Sequence, residues 1–445
     1  MATLKEEVIP ERPSDEIVVA AGERGRLDSI DLVRGLVMVI MALDHVSDYF
    51  NAAFFSKPPI GSVDLAQTTP ALFLTRWVTH FCSPTFVFLA GTGAFLYGSR
   101  GRSTGGLSWF LLTRGLWLVF LEVTAVRLGW TFNLDYPREF GGGVIWAIGW
   151  SMVLMSVLVW LPVSAVGVFG VAVIAFHNLF DPKTAADMGL PEWLWAILHR
   201  PGRFAVFPGG DDAVLTLGPI SIPQLHFGTG YCLLPWLGVM AAGYGFGAIF
   251  LLNRQARRKQ LFGLGVALTA LFVVLRAYNL YGDPVPGPWH NDSLPHEDPG
   301  PWSEHDNPLF TVFSFVNCQK YPPSLLYILM TLGPAITALA LFDRPIGALG
   351  RFFVTFGRVP LFFYLLHIPL IHTLVVAFDT WRYGYSPMAH DVIWSLDPKK
   401  VPDGYGVSLP VVYLIWAGVI LALYPLCWWF ARVKARYRSA WLSYL

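Results

Sequence analysis

Long apolar runs recur along the chain and are separated by polar connections. Each run has about 20 residues, the length that crosses the hydrocarbon core of a bilayer as an α-helix. The pattern therefore predicts an all-α, polytopic transmembrane helix bundle of about ten spans, ten or eleven because two runs meet in a tight turn at Leu161-Pro162. The predicted spans are residues 31–50, 70–98, 107–130, 143–161, 163–180, 228–252, 260–280, 323–342, 352–378 and 408–432.

Lys and Arg residues concentrate in every second connection between these runs. Under the positive-inside rule, such connections lie in the cytoplasm. The pattern predicts a multi-pass protein of the cell membrane (inner or plasma membrane) with both termini cytoplasmic. The basic residues concerned are Arg24, Arg26, Arg100, Arg102, Arg254, Arg257, Arg258, Lys259, Arg344, Arg351, Arg432, Lys434, Arg436 and Arg438.

The polar segments divide into a tail and two long loops. Residues 1–26 are mixed in charge and lack the apolar core of a signal peptide, so they are predicted to form a disordered cytoplasmic tail. Residues 27–445 are predicted to form a single transmembrane domain. Two connections on the opposite face, 181–224 and 278–322, are rich in Pro, Gly, Asp and Trp and are predicted to be large outer loops.

The composition agrees with a membrane protein. Hydrophobic residues make up 54% of the 445 residues and charged residues 14%, against about 25% charged in an average soluble domain. The bilayer is therefore a predicted partner. The net charge of +1 provides no field that would attract nucleic acid, so no nucleic-acid partner is predicted.

Cysteines and loop histidines suggest neither a disulfide framework nor a metal site, and none is predicted. The cysteines lack CxxC spacing and read as small core residues, and the histidines match no metal motif. They are Cys82, Cys232, Cys318 and Cys427, and His290, His296 and His305.

Glycines cluster inside two apolar runs, as Gly91 and Gly93 and as Gly243, Gly245 and Gly247. Within a membrane span, small residues allow close contact between helix backbones. The clusters therefore predict helix packing rather than a nucleotide-binding loop.

The first span carries the most informative polar pattern. At 100° per residue, Asp31, Arg34, His45 and Asp48 fall within one arc of about 100°. His45 follows Arg34 by eleven residues, a rise of about 16 Å on nearly the same face. Ionisable groups inside a membrane are costly and usually face a bundle interior. Arg34 could alternatively extend to the cytoplasmic interface.

The other ionisable residues of the spans fall into two predicted layers. Outer histidines suit proton transfer, and inner arginines suit phosphate binding. On the predicted ninth span, Arg358 and His372 share a face, while His367 points nearly opposite to Arg358. His367 is predicted to be a packed histidine rather than a catalyst. The outer layer comprises His45, Asp48, His80, Arg127, His226, Arg276 and His372, and the inner layer comprises Arg34, Arg114 and Arg358.

Six segments resemble, in order, the heparan-alpha-glucosaminide N-acetyltransferase catalytic family and its bacterial relatives. They run from residue 26 to the end of the chain, and as a set they are more specific than any one alone. The segments are RLDSIDLVRGLVMVIMALDH at 26–45, SPTFVFLAG at 83–91, LPWLGVMAAGYGFG at 234–247, KYPPSL at 320–325, FGRVPLFFYLLHIPLIH at 356–372 and VKARYRSAWLSYL at 433–445.

The resemblance implies a polytopic acyltransferase that takes an acyl group from cytoplasmic acetyl-CoA and delivers it to a sugar across the membrane. The first span also resembles the type 3 transmembrane acyltransferases, whose motif is an Arg and a His separated by ten residues. Arg34 and His45 match this motif. By this resemblance, the lysosomal enzyme of the family has an Asn where this chain has His45, and its catalytic His lies further along the sequence. Residues 46–79 contain no histidine here, so the arrangement is similar to the bacterial Arg–His type.

These observations predict acyl transfer to a sugar hydroxyl or amine. Arg34, helped by Arg358, would bind a phosphate of the donor, and His45 would deprotonate the acceptor while oriented by Asp48 or Asp44. An acyl-histidine intermediate and direct transfer both stay open. The predicted site residues are His45, Asp48 and His80 as catalytic groups, Arg34 and Arg358 at the acetyl-CoA donor, and His372, Lys320 and Asp44 at the carbohydrate acceptor.

Two other classes of function compete with the enzyme. A secondary transporter could use the intramembrane His, Asp and Arg residues as a substrate or proton path. The chain lacks the internal repeat common in transporters, which counts mildly against that class. A membrane scaffold without activity would have little use for so many titratable groups. The acceptor, the acyl chain and the oligomeric state stay open, and a homodimer is compatible with the sequence.

Overall fold

The fold is seen in a computed structural model of the chain. It describes residues 27–56, 63–136, 140–207, 214–217, 220–283, 300–391, 396, 398–437 and 442. The predicted tail at 1–26, the histidines at 290 and 296, parts of both predicted outer loops and part of the final segment lie outside these residues.

Helices make up most of the described chain, which confirms the all-α prediction. They are α1 (Asp28–Phe50), α2 (Pro70–Thr79), α3 (Cys82–Gly98), α4 (Thr104–Leu121), α5 (Arg127–Thr131), α6 (Val144–Leu158), α7 (Val163–Phe176), α8 (Glu192–Leu198), α9 (Leu233–Phe246), α10 (Arg254–Ala277), α11 (Pro308–Val316), α12 (Leu325–Phe342), α13 (Ala348–Arg358), α14 (Pro360–Tyr383) and α15 (Leu409–Arg436). A π-helical turn, Glu122–Val126, links α4 to α5, and 3-10 turns occur at Ala52–Phe55, His177–Phe180, Gly247–Leu251 and Pro398–Lys400.

Each of the ten predicted spans overlaps one or more helices in the described chain. Eight helical stretches are long and apolar enough to cross a membrane: Pro70–Gly98, Thr104–Thr131, Val163–Phe180, Leu233–Leu251, Arg254–Ala277, Leu325–Phe342, Pro360–Tyr383 and Leu409–Arg436. The two others are α6, which has 15 residues, and α1, whose 23 residues include the charged residues of the polar face.

Two predicted spans are broken in the middle, and both breaks lie at candidate site residues. The second span divides at His80 and Phe81, between α2 and α3. The ninth divides at Val359, whose backbone is not helical (φ −134°, ψ 50°) because Pro360 follows it. Helix α14 then begins at Pro360, where the missing N–H costs nothing. His80 and Phe81 keep helical backbone angles, whereas the break at Val359 changes the direction of the residues that follow it.

Short strands occur in connections that were predicted as loops, and the last of them overlaps the start of the predicted sixth span at 228–229. They are β1 (Phe140–Gly142), β2 (Gly202–Ala205), β3 (Val214–Leu217), β4 (Ile220–Pro223) and β5 (His226–Thr229). β5 lies between β1, which is parallel to it, and β2, which is antiparallel, while β3 and β4 form a hairpin. The pairing ties the 181–224 segment to the connection before α6.

Close packing of helix backbones at the glycine clusters is confirmed with one exception. A Cβ atom at Gly91 would overlap the carbonyl oxygen of Met240, and one at Gly243 would overlap that of Phe88, so α3 and α9 are in backbone contact. A Cβ at Gly245 would lie 2.7 Å from the Gly167 backbone, and one at Gly247 would lie 2.7 Å from the Phe95 side chain. A Cβ at Gly93 would meet nothing within 4 Å, so the prediction is wrong for Gly93. The four cysteines are buried free thiols, as predicted.

Candidate functional site

A pair of glycines brings the first helix against α13. A Cβ atom at Gly35 would overlap the Phe353 carbonyl oxygen, and one at Gly357 would overlap the Asp31 carbonyl oxygen. Only hydrogen at these two positions allows the backbones to meet. The contact places Arg358, at the end of α13, beside the first turns of α1.

The two predicted donor-binding arginines share one carboxylate. Arg34 Nη1 lies 3.6 Å from Asp31 Oδ1, and Arg358 Nε lies 3.8 Å from Asp31 Oδ2. Arg358 also contacts Asp28 at 3.2 Å. Asp31 is buried, while the side chains of Arg34 and Arg358 keep 21% and 41% of their surface exposed. Two guanidinium groups are thus gathered with surface left for an anion. Arg114, the third predicted inner arginine, lies over the Phe110 ring.

His45 contacts a second histidine. Its Nδ1 lies 2.7 Å from Nε2 of His367, and the two rings are stacked with centroids 5.0 Å apart. Trp130 packs edge-on against His45 at 4.9 Å. His367 is fully buried, as predicted for a packed residue, but it also lies at the predicted catalytic group, which the sequence did not indicate.

The hydrogen bonds of His367 fix which nitrogen of His45 carries the proton. His367 Nδ1 lies 3.1 Å from the Phe363 carbonyl oxygen, which can only accept. With neutral rings, His367 Nδ1 therefore donates, its Nε2 accepts, and His45 Nδ1 is the donor between the two histidines. This tautomer is assigned from the hydrogen-bond network. It leaves Nε2 of the half-buried His45 with a lone pair that can take a proton.

The predicted orienting carboxylates are placed differently. Asp44 Oδ1 accepts hydrogen bonds from Arg76 Nη1 at 2.7 Å and from Thr79 Oγ1 at 2.9 Å. Asp48 lies one turn further along α1 and is half-buried. The His45 ring is hydrogen-bonded to His367 and not to either of these carboxylates. Asp44 instead forms an ion pair with α2 close enough to His45 for electrostatic interaction.

Lys320 and His80 lie at the same end of the bundle. Lys320 is 5% exposed although it belongs to the connection between α11 and α12, and it interacts electrostatically with His80, His45 and Asp44. His80 is 3% exposed, and its Nδ1 has no hydrogen-bond partner in the described part of the chain. The structure thus gathers His45, His80, Lys320 and Asp44 into one polar cluster.

His372 is held apart from that cluster. Its Nδ1 lies 3.1 Å from the Gly129 carbonyl oxygen and its Nε2 2.6 Å from that of Met388. The ring is fully buried and stacks on Tyr49, which also stacks on Trp130. His372 therefore reaches the surroundings of His45 only through other rings, and its contact with an acceptor stays a prediction.

Two other predicted outer-layer residues hold backbone in place. Arg127 Nη1 and Nη2 donate to the carbonyl oxygens of Asn133 and Asp135. Arg276, which is 1% exposed, forms a 2.8 Å ion pair with Asp283. It also donates to four carbonyl oxygens, those of Gly300, Ser314, Phe315 and Asn317.

The acid that pairs with Arg276 also fixes the segment around Lys320. Asp283 Oδ1 accepts from Gln319 N at 2.9 Å and from Ser324 Oγ at 2.8 Å, on either side of Lys320. Burial raises the pKa of Asp283 to about 6 despite the attraction of Arg276. The position of Lys320 thus depends on an ion pair between Arg276 at the end of α10 and Asp283 in the segment that follows α10.

Comparison with known proteins gives one family. No curated protein matches the sequence. The sequence profile of a family described as heparan-alpha-glucosaminide N-acetyltransferase, catalytic, matches residues 26–275, a range that contains Arg34, His45 and His80. Lys320, Arg358 and His367 lie beyond it. Because the match covers more than half of the chain, the protein belongs to the heparan-alpha-glucosaminide N-acetyltransferase catalytic family.

Proposed function

We propose that the protein transfers an acyl group, most simply acetyl, from acetyl-CoA on the cytoplasmic side to a hydroxyl or amine of a sugar on the outer side. The observation that carries the proposal is the pairing of His45 with His367, because it leaves His45 Nε2 free to act as a base. A base of this kind is what acyl transfer to a hydroxyl or amine requires.

At the donor end, Arg34 and Arg358 bind phosphate of acetyl-CoA. Guanidinium groups suit phosphate because they donate two hydrogen bonds in one plane. His45 is about 16 Å further along the same helix. The extended pantetheine arm of the donor spans such a distance and brings the thioester carbonyl to His45.

At the acceptor end, His45 Nε2 removes the proton of the attacking hydroxyl or amine. The acceptor atom bonds to the thioester carbonyl carbon, the carbon–sulfur bond breaks, and the thiolate leaves and takes up a proton. Lys320, Asp44 and His80 bind and orient the sugar, while His367 holds the His45 ring. An acyl-histidine intermediate on Nε2 is the alternative sequence of steps.

Labelled acetyl-CoA tests the proposal against the transporter alternative. Purified protein in nanodiscs is incubated with [1-14C]acetyl-CoA, with and without a panel of amino sugars and neutral sugars. An acyltransferase consumes the thioester and releases free CoA, and it labels an acceptor when one is present. Intact donor under all conditions, with uptake into proteoliposomes, would replace the enzyme by the transporter.

The proposed orientation predicts opposite sides for two fusion points. Arg258 belongs to a basic connection and should be cytoplasmic, whereas Asp292, which lies outside the described residues, belongs to the second long loop and should be outside. Alkaline phosphatase should be active when fused after Asp292 and inactive after Arg258, and green fluorescent protein should give the reverse. The same side for both points would refute the orientation.

Arg34→Ala is predicted to weaken acetyl-CoA binding, and Arg34→Lys to restore it in part, because Lys lacks the planar fork of donors. A matched control is Arg114→Ala, which removes an arginine of the same predicted layer that lies over Phe110. Calorimetry with acetyl-CoA and with dephospho-CoA measures the effect. An Arg34→Ala variant with the affinity of the parent would leave Arg34 as an interfacial residue.

A further inference from the structure

Three side chains with metal-binding atoms meet at the end of α7. His177 is the first residue of the 3-10 turn that follows α7, Asp181 follows that turn, and His199 directly follows α8. One ligand atom from each lies within 4.8 Å of the other two. His177 and His199 are each 1% exposed. The cluster belongs to neither the donor nor the acceptor end of the proposed site.

The hydrogen bonds in the cluster leave much of it unsatisfied. His199 Nε2 lies 2.9 Å from Asp181 Oδ1, and Asn178 Nδ2 donates to Asp181 Oδ2 at 2.8 Å. Both ring nitrogens of His177, and Nδ1 of His199, are buried without a hydrogen-bond partner in the described chain. The Pro323 carbonyl is near His177 but outside hydrogen-bonding geometry. A buried imidazole with no partner at either nitrogen is costly and calls for an explanation.

Two imidazoles and one carboxylate form a ligand set that Zn²⁺ accepts, with water in the fourth position. Ligand atoms about 2.0–2.2 Å from zinc would be roughly 3.3 Å apart in a tetrahedron. The closest pair here is 2.9 Å apart and the widest within 4.8 Å, so small rotations of the rings would close the site. The Asn178 hydrogen bond holds the second carboxylate oxygen and so orients Asp181 toward the histidines.

We propose that His177, Asp181 and His199 bind one divalent transition-metal ion, of which Zn²⁺ is the best match. The ion takes the place of the His199–Asp181 hydrogen bond and gives the His177 ring the partner that it lacks. A hydrogen-bonded His–Asp pair without metal would account for His199 and Asp181 but not for His177.

The metal site would stabilise the position of the segment that contains Lys320. Asn178 Oδ1, between two of the ligands, accepts a hydrogen bond from Leu325 N at 2.9 Å. Leu325 is the first residue of α12, directly after the segment that contains Lys320. Metal binding therefore links three parts of the outer surface: the end of α7, the end of α8 and the start of α12.

Metal content of the purified full-length chain tests the proposal without any activity assay. The protein carries no polyhistidine tag, is stripped with EDTA, loaded with Zn²⁺ and desalted before elemental analysis. We expect one retained equivalent per chain and a higher melting temperature than in EDTA. Loading with Co²⁺ should give the visible absorption bands of a four-coordinate site. Less than about a tenth of an equivalent, with no Co²⁺ bands, would overturn the proposal, and this result needs no variant.

Variants locate the ion. His177→Gln and His199→Gln should each weaken zinc binding more than about 100-fold, since losing an outer-shell partner alone costs about 10–100-fold. His305→Gln, an exposed histidine of the second long loop, is the matched control and should retain the equivalent. Equal retention in all three variants would place the ion elsewhere and refute the assignment.

Discussion

His45→Gln is expected to fold and to bind acetyl-CoA like the parent, and to lose acyl transfer by about two orders of magnitude or more. The amide is similar in size and can still donate to His367 Nε2, so packing and the contact with α14 are retained. It cannot take and return a proton at neutral pH, and such groups typically supply about 10²–10⁴-fold in rate. Thermal stability, acetyl-CoA affinity and turnover are measured on the same preparations.

Two variants show whether the loss is specific. Asp48→Asn should lose less than His45→Gln, because it leaves the base itself intact. His305→Gln should turn over like the parent. Turnover near that of the parent in His45→Gln would remove His45 as the base and direct attention to His80, whose buried Nδ1 lacks a partner in the described chain.

Arg276→Met is predicted to cause the largest loss of stability. The guanidinium is buried against Asp283 and four carbonyl oxygens. Methionine fills part of the volume but leaves Asp283 without its cation, and breaking a buried ion pair in this way costs about 3–5 kcal/mol. A large fall in melting temperature should result, together with loss of turnover, because Asp283 also holds the residues around Lys320.

Arg254→Met is the matched control, since Arg254 lies in the first turn of α10 and Arg276 lies in its last turn. Its side chain is 51% exposed, lies 3.9 Å from the Asp343 carboxylate and donates to the Asp343 carbonyl oxygen. An exposed ion pair contributes about 0–1 kcal/mol. A comparable fall in melting temperature for both variants would show that the Arg276–Asp283 ion pair contributes no more to stability than an exposed pair does.

The helices could be predicted from the sequence because apolar runs of this length have few alternatives. The position of Arg34 relative to His45 was equally accessible, since both lie on one continuous helix, α1. Short strands could not be predicted, because stretches of three or four residues contain too little periodicity to distinguish them from loops. The pairing of β1 and β2 with β5 depends in addition on partners well separated in the chain.

The role of His367 was missed because the ninth span was treated as one straight helix. On such a helix His367 points away from Arg358, but the chain breaks at Val359, so angles measured across the break have no meaning. Pro360 was the available signal, because a residue before proline avoids the helical conformation. The same break removes the shared face predicted for Arg358 and His372.

The orienting group of His45 illustrates a different limit. Asp44 and Asp48 are near His45 in sequence, and proximity along a helix favoured them. In the fold, Asp44 is paired with Arg76 on α2. The sequence of the first span does not indicate that α2 packs beside it. The hydrogen bond of the His45 ring is made instead with His367 on α14, which is 322 positions away in the sequence. Pairings between spans were beyond what one sequence provides.

The continuity of α1 has a consequence for how this protein can vary. Between Arg34 and His45 the helix is uninterrupted, so inserting or deleting one residue there would turn His45 by about 100° relative to Arg34 and shift it by about 1.5 Å. Either His45 would then lose its contact with His367, or the first turns of α1, with Arg34 and Asp31, would turn away from Arg358. We therefore expect this stretch to tolerate substitution far better than a change of length, whereas the connections between helices can lengthen or shorten without altering the register of α1.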